Sequence, residues 1–321
     1  MERLGCRRRT LTAVWLLGAA GAVLGASLDE PIQPLPLTLK VDPARAQLGR
    51  RLFSDPRLSA NGKVACASCH RPDHGGADVQ AHSLGFKGQT TAVNAPTVLN
   101  AALNFKQFWN GRADSLEGQA HDVVQNPVEM GSQWPQVAAS LSRDASYKAA
   151  FGAAYADGIT PRNIQNAIAT YERTLTTPNS RFDRYLRGDA SALSADEKAG
   201  YAKFKQYGCI ACHQGVNVGG NMFQKFGVMG DYFAKRGNPT EADLGRYLVT
   251  HDEQDKHVFK VPSLRNVALT APYFHDGTAA TLNDAVDVMF KYQLGRVASR
   301  EDKAAIVKFL NTLTGEVPPP T

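Results

Sequence analysis

Two copies of the pattern Cys-x-x-Cys-His constrain this chain more than any other feature. They are Cys66–Ala67–Ser68–Cys69–His70 and Cys209–Ile210–Ala211–Cys212–His213, and they use four of the five cysteines among 321 residues. This spacing is the attachment signature of c-type haem, in which the two thiols bond to the haem and the adjacent histidine binds the iron. The sequence therefore predicts two covalently attached haem c groups.

Two other kinds of site also use Cys-x-x-Cys pairs. A thioredoxin-like redox pair does not require a histidine directly after the second cysteine, whereas both copies here have one. Zinc sites usually hold their cysteine pairs about 15–20 residues apart, whereas Cys66 and Cys209 are separated by 143 positions. Haem attachment accounts for both copies.

The first 26 residues have the composition of an export signal. Arginines at positions 7–9 precede an apolar run from Leu11 to Leu24, and small residues surround Ala26. We expect cleavage near Ala26 and a periplasmic mature protein, because haem c is attached after export. The alternative is a retained membrane anchor, although the run is shorter than the roughly 20 apolar residues of a spanning helix.

The charge of the chain argues against one class of partner. Of the formal net charge of +6, the predicted signal carries +3, which leaves about +3 on the mature chain. So small a charge on nearly 300 residues does not indicate nucleic-acid binding. Cys6 lies within the predicted signal, so the mature chain has no thiol outside the haem motifs.

Each half shows the same order of a helix, a short loop, a haem motif and a long following segment, which indicates a tandem duplication. We expect a mainly α chain with two cytochrome c-like domains, at 27–179 and 180–321, separated at the break Thr177–Ser180. The last helix belongs to the second domain or packs back on the first, and the tail Pro318–Pro320 is expected to be disordered. Capping residues predict five helix starts, at Asp42–Pro43, Thr160–Pro161, Ser194 with Glu197, Thr281 with Asp284, and Ser299 with Asp302.

The function depends on the second axial ligand of each iron. Iron with two axial ligands from the protein carries electrons, whereas five-coordinate iron reacts with small molecules. In the second half Met289, on the apolar side of a predicted helix, is the candidate ligand. The first half offers His74, His82, His121 and Met130, and no spacing selects one of them.

One stretch of the first half contains residues suited to a reactive pocket. Trp109, Gln119 and Glu129 occur within 20 positions of one another. A carboxylate in such a pocket can move protons as a general acid and base. The grouping alone does not select a reaction.

From about Leu48 to Gly315 the sequence resembles the bacterial diheme cytochrome c peroxidases. Besides the haem motifs, the resemblance is carried by NAPTVLN at 94–100, QFWNGR at 107–112, SRFD at 180–183, GVNVGG at 215–220 and LTAPYFH at 269–275. These long strings occur in the order found in the family, so they are more specific than the two haem motifs alone.

The resemblance implies a division of labour between the domains. The N-terminal haem would reduce hydrogen peroxide, and the C-terminal haem would receive electrons from a small cytochrome c or a blue-copper protein. By position, His70 and His213 match the proximal iron ligands of the family. Met289 matches the distal ligand of the electron-accepting haem.

The resemblance also implies roles for the three residues of the reactive stretch. Glu129 matches the catalytic acid and base of the family, Gln119 its partner in the distal pocket, and Trp109 the aromatic residue between the haems. Glu129 would move a proton from one peroxide oxygen to the other so that water leaves.

Members of this family hold a calcium ion between their domains, and the resemblance favours a homodimer. The calcium ligands would be the side chain of Asn94 and the carbonyl oxygens of Thr270 and Pro272, and oxygen ligands suit this metal. His275 matches a family histidine near the haem propionates.

One position departs from the family pattern. Many members have a histidine, in the loop after the first haem motif, that caps the first iron until the other haem is reduced. Phe86 stands at this position, and phenylalanine cannot bind iron. We expect a first haem that is always open; the alternative is that His82 or His74 binds from a shifted loop.

Two other functions fit part of the pattern. A MauG-type relative would oxidise a protein side chain, but those proteins have a tyrosine where this chain has Met289. A diheme electron carrier would have six-coordinate iron in both halves, with Met130 as a possible first ligand. The polar residues Gln119 and Glu129 would then have no role.

Overall fold

The computed structural model describes residues 30–317. The predicted signal at 1–26 and the predicted disorder of Pro318–Pro320 lie outside these residues. Within the described range, no helix combines the length and the apolar composition that crossing a membrane requires.

Helices dominate the described residues, which confirms the predicted mainly α class. The two strands, β1 (Phe223–Lys225) and β2 (Val258–Lys260), form a single antiparallel pair that aligns Phe223 with Lys260. The α-helices are α1 (Pro43–Phe53), α2 (Cys66–Cys69), α3 (Leu116–Gln125), α4 (Trp134–Leu141), α5 (Ala145–Ala154), α6 (Pro161–Glu172), α7 (Arg181–Leu186), α8 (Ala195–Tyr207), α9 (Tyr232–Arg236), α10 (Tyr247–Thr250), α11 (Leu282–Val288) and α12 (Arg300–Asn311).

The predicted capping residues begin their helices as expected. Asp42 accepts a hydrogen bond from the backbone N–H of Arg45, and Ser194 forms a complete capping box with Glu197. Helix α8 ends at Gly208, whose φ of 91° lies in the left-handed region that glycine tolerates. Thr160, Thr281 and Ser299 likewise accept from the third residue of their helices.

Each half is built on one helix crossing. Helix α1 packs on α6 in the first half, and α8 packs on α12 in the second. At both crossings a glycine lets the backbones approach: a Cβ on Gly49 would lie 1.8 Å from the Ala167 carbonyl oxygen, and one on Gly200 would lie 2.0 Å from that of Ala305. The repeated crossing supports the predicted tandem duplication.

Two buried apolar clusters follow from these crossings, one from Leu48 to Leu175 and the other mainly from Phe182 to Leu313. Helix α12 belongs to the second cluster. Ile32, which the predicted boundary places in the first domain, is buried in the second cluster. The segment around it therefore packs on the second half, although it precedes the helices of the first half in sequence.

In the segments that follow the two haem motifs, equivalent residues are 166 positions apart, a spacing called the 166-residue register below. Asn100 and Asn266 both have left-handed backbones before a short 3₁₀ turn, with φ of 60° and 59°. Phe108 and Phe274 share φ values of 66° and 71°. The N-caps of α3 and α11, Ser115 and Thr281, keep the same spacing. Equivalent positions in the two halves can therefore be compared directly.

The first helix crossing yields a prediction about stability. Gly49→Ala should destabilise the haem-loaded protein by about 1–3 kcal/mol, because the new methyl group forces α1 and α6 apart. The measurement is the denaturant midpoint, followed by haem absorbance. Gly152→Ala in α5 is the matched control, since no atom lies within 4 Å of its new Cβ and alanine is the better helix former. Equal midpoints for the two variants would contradict the close-packed crossing.

Candidate haem sites and distal pocket

The second haem motif opens into a deep cavity. The 3₁₀ turn Cys209–Ala211 directly follows the end of α8 and brings Cys209, Cys212 and His213 to the wall of this cavity. Met289 lines the same cavity. The structure thus brings together all four residues that the sequence assigns to the second haem.

His213 has the chemistry of an iron ligand. Its Nδ1 atom is buried and has no hydrogen-bond partner among the described residues. Burial lowers the pKa of the imidazole to about 4, which keeps the ring neutral, as metal binding requires. Gly219, with φ of 122°, packs closely here, and a Cβ on it would lie 2.3 Å from the Pro262 carbonyl oxygen and 3.4 Å from His213 Nδ1.

Met289 stands where the helix changes character. Helix α11 ends at Val288, and residues Met289–Leu294 continue as a π-helical turn. Such turns are rare and frequently occur at functional sites. Met289 thus belongs to the wall of the haem cavity and not to a regular apolar helix face.

The first haem motif forms helix α2, Cys66–Cys69, followed by His70. Burial raises the pKa of the Cys66 thiol and lowers the pKa of the His70 imidazole. As at the second site, the Nδ1 atom of this histidine is buried without a hydrogen-bond partner in the described range. Both motifs therefore offer a neutral imidazole and two cysteines, which fits covalent haem.

The 166-residue register shows how the two sites differ. Val123 stands in α3 where Met289 stands after α11, and Gln119 stands where Ala285 lines the second cavity. Valine cannot bind iron. The first half therefore lacks the sulfur ligand at this position and has a polar amide one turn before it.

Three of the four other candidate ligands of the first half are engaged elsewhere, and His82 is not. Met130 is 2% exposed and packs in the first apolar cluster. His74 pairs with Asp73 at 3.0 Å in a half-exposed position, and His121 stacks on Trp134. His82 has a buried Nδ1 without a partner in the described range.

Contacts of its backbone and of its ring fix the position of Phe86. Its backbone N–H donates to the carbonyl oxygens of Val128 and Glu129 at 2.9 and 2.8 Å. Its ring packs on Gly131, where an added Cβ would lie 2.8 Å from the ring. The loop is thus tied to the segment that carries Glu129.

Glu129 is a buried carboxyl with an unused oxygen. Its Oε2 atom has no hydrogen-bond partner among the described residues. Burial raises its pKa above the usual value, Asp122 adds to the rise, and Arg112 and the Asn126 side chain oppose it. A buried carboxyl with a raised pKa and a free oxygen has the chemistry of a general acid or base.

A cleft between the two halves is lined by the residues that affect the pKa of Glu129. Arg112 and Asp122 form an ion pair at 3.3 Å on its wall, beside Asn126, and Leu248 and Val249 close it from the second half. Sequence reasoning included Arg112 in a family string without giving it a role and did not single out Asp122, because only the folded chain brings their charges close enough to act on Glu129.

Trp109 and His275 meet in the wall of the second cavity. Their rings are 6.4 Å apart in an edge-to-face arrangement, and both line the cavity of the second motif. The indole N–H of Trp109 donates to the Asn94 carbonyl at 2.9 Å, and the Asn94 N–H donates to the His275 carbonyl at 2.8 Å. His275 is fixed by a 2.7 Å hydrogen bond to Asp243.

Asp243, His275 and Asp276 are close enough to hold a metal, since one ligand atom of each lies within 4.8 Å of the others. The guanidinium of Arg236, however, bonds both carboxylates. The Arg236 and His275 contacts hold the pKa of Asp243 well below its usual range. This cluster is therefore a charge-balanced network that orients His275.

The proposed calcium ligands share one location. Asn94, Thr270 and Pro272 all line the same cavity. The Asn94 amide N–H donates to the Gln80 carbonyl at 3.1 Å, which turns its N–H group toward protein and leaves Oδ1 without a donor among the described residues.

Comparison with known proteins places this architecture in a family. The model of the di-haem cytochrome c peroxidase family matches residues 43–191. The cytochrome c551 peroxidase of Nitrosomonas europaea is 45% identical over 319 residues, which covers 97% of this chain and 93% of that protein. The chain belongs to the di-haem cytochrome c peroxidase family.

Two further relatives agree with this assignment. The cytochrome c peroxidase Ccp of Escherichia coli is 46% identical over 292 residues, or 91% of this chain, and the match spans 62% of that longer protein. Among solved structures, a MauG-like protein associated with microbial copper homeostasis has a TM-score of 0.78 at 29% identity, covering 91% of this chain and 95% of that one.

The contacts of Glu129 predict opposite effects of two substitutions. Arg112→Gln should raise the pKa of Glu129 further, and Asp122→Asn should lower it. If Glu129 acts as a base, its activity falls as the pH drops through its pKa, so the acid limb should move to higher pH in the first variant and to lower pH in the second. The measurement is the pH dependence of the reaction of the oxidised protein with peroxide. Asp196→Asn, which removes a charge from an exposed ion pair, is the control. Acid limbs that move in the same direction in the Arg112 and Asp122 variants would contradict the prediction.

Proposed function

We propose that this chain is a periplasmic peroxidase that carries two haem c groups and reduces hydrogen peroxide to water with electrons from a small redox protein. The observation that carries the proposal is the asymmetry of the two sites. The second has a methionine in its cavity wall, and the first has Val123 at that position together with the buried carboxyl of Glu129.

The residues that would hold the haems are those of the two motifs. Cys66 and Cys69, with His70, would bind the first, and the second would be bound by Cys209 and Cys212 with His213 and Met289. When bound, the haems supply the iron at which peroxide is reduced and the second iron that stores an electron.

Glu129 would carry the proton steps. Its carboxylate would accept a proton from one oxygen of the peroxide and return it to the other, which would leave as water. Gln119 orients the peroxide through its amide. Two electrons and two protons from outside complete the reduction to two waters.

Trp109 would serve the transfer of electrons between the two sites. Its ring lies against His275, and its indole N–H is fixed on the Asn94 carbonyl. A fixed aromatic ring between the pockets favours a short path over one through solvent.

A calcium ion would bind at the junction of the two halves. Asn94 Oδ1 and the carbonyl oxygens of Thr270 and Pro272 supply neutral oxygen ligands, and water would complete the shell of six to eight that this metal prefers. Because these ligands come from both halves, the ion would fix the halves relative to each other.

The electron donor is proposed to be a small cytochrome c or a blue-copper protein. We also propose a homodimer with domains at 27–179 and 180–321. These three proposals rest on the family to which the chain belongs.

Two alternatives are less well supported by the chain. A MauG-type oxidase of a protein side chain would have a tyrosine at the position of Met289. A diheme electron carrier would need a ligand for the first iron, and Met130, the candidate for this role, is buried in the apolar cluster.

Glu129→Gln tests the proposed proton transfer. The amide cannot carry the proton, so we expect a loss of peroxidase turnover of about a hundredfold or more, with haem content unchanged. Turnover and the haem spectrum of the variant are measured together. Turnover equal to that of the parent protein would refute the role of Glu129.

The open first site predicts the spectrum of the fully oxidised protein. Electron paramagnetic resonance should show one high-spin haem and one low-spin haem, and stoichiometric hydrogen peroxide should change the optical spectrum without any reductant. Met289→Leu is the matched control, because it should convert the low-spin signal to high spin. Two low-spin haems that are inert to peroxide would mean that His82 or another ligand closes the first iron.

A further inference from the structure

Lys260 is a buried cation without a counter-ion. It ends strand β2, is 6% exposed and lines the cavity that also contains His213 and Met289. Its ammonium has no hydrogen bond and no ion pair among residues 30–317. Its backbone N–H donates to the Trp109 carbonyl at 2.8 Å, which fixes the position of the residue between the two sites.

The carboxylates beside His275, which lines the same cavity, do not supply the missing charge. Asp243 and Asp276 both bond Arg236, and Asp243 also bonds His275. Burial alone acts on Lys260, and it lowers the pKa of the ammonium to about 8. The protein thus places a cation in this cavity and provides no anion for it.

An unpaired charge in a protein interior is costly unless it gains a partner. The group expected in this cavity is haem, and haem carries two propionate carboxylates on one edge. A propionate is an anion that can enter this cavity without being part of the chain.

We propose that Lys260 binds a propionate carboxylate of the haem attached at Cys209 and Cys212. This inference rests on the haem attachment proposed above and is independent of peroxide turnover. Lys260 is thus a specific electrostatic anchor of the second haem.

The first half has no charged residue at the position equivalent to Lys260, so we expect the cation to affect one haem alone. The 166-residue register pairs Lys260 with Asn94, and the two donate equivalent backbone hydrogen bonds, to Trp109 and His275 respectively. Asparagine carries no charge. A fixed cation beside the second haem favours its reduced form, because the added electron interacts with the ammonium.

Midpoint potentials of both haems in Lys260→Met test the proposal. The substitution removes the cation and leaves a buried carboxylate, so the potential of the second haem should fall. We expect at least a tenfold loss in its reduction equilibrium constant, or about 59 mV for one electron. The first haem should change much less. Lys260→Arg keeps the charge and should retain most of the potential.

Lys235→Met, an exposed lysine in helix α9, is the control for the loss of one positive charge. A second-haem potential that falls no further in Lys260→Met than in this control would overturn the proposal. Equal losses of potential at the second haem in Lys260→Met and Lys260→Arg would also overturn it.

A crystal structure of the haem-loaded parent protein decides the contact without any variant. Lys260 Nζ within about 3.2 Å of a propionate oxygen supports the inference. An ammonium bonded only to backbone carbonyls refutes it, even if the potential shifts. Glu129→Gln separates this inference from the proposed function, because it should remove most of the turnover and leave the second potential unchanged.

Discussion

Two backbone hydrogen bonds tie the halves together in the wall of the second haem cavity. The Asn94 N–H donates to the His275 carbonyl and the Lys260 N–H donates to the Trp109 carbonyl, each at 2.8 Å. The repeat relates Asn94 to Lys260 and Trp109 to His275, so the two bonds are equivalent. Because backbone groups form them, they survive changes of side chain. The relative position of the two cavities is therefore fixed while the side chains around them are free to diverge.

The side chains on this frame have diverged in ways that separate two kinds of chemistry. Where the second half has a methionine, the first has Val123, and where the second has Ala285, the first has Gln119. Loss of the sulfur opens a coordination position, and the amide makes the space polar. A saturated iron suits electron transfer, whereas an open one suits reaction with a small molecule. On the proposed function, a few substitutions between two equivalent halves would be sufficient for the division of labour.

Local features of the fold were predictable because their causes are local. Asp42 and Ser194 begin helices through hydrogen bonds to residues two or three positions on, and Gly208 ends one through its own φ angle. The sequence alone could also have predicted that position 123 lacks a methionine, because aligning the N-caps Ser115 and Thr281 fixes the register between α3 and α11. These signals need no tertiary contact.

The electrostatic features were not predictable, because partners distant in sequence create them. A lysine in a short strand is ordinarily exposed, and Lys260 is buried only because β2 lies in the wall of a cavity shared by both halves. Arg112 influences Glu129 from a position 17 residues earlier, across the turn that ends α3. Only the folded chain brings these charges to their sites.

The two halves hold opposite kinds of buried ionisable group, and on the proposed function this difference would give the electron flow a direction. The first half contributes the acid Glu129, whose pKa is raised by burial and whose Oε2 atom has no partner among the described residues. The second contains the cation Lys260, which does not take part in proton transfer but favours an added electron. On the proposed function, electrons would enter where the cation is fixed and would be consumed where a proton can be delivered with them. Charge placement would thus couple electron entry at one haem to proton-dependent chemistry at the other.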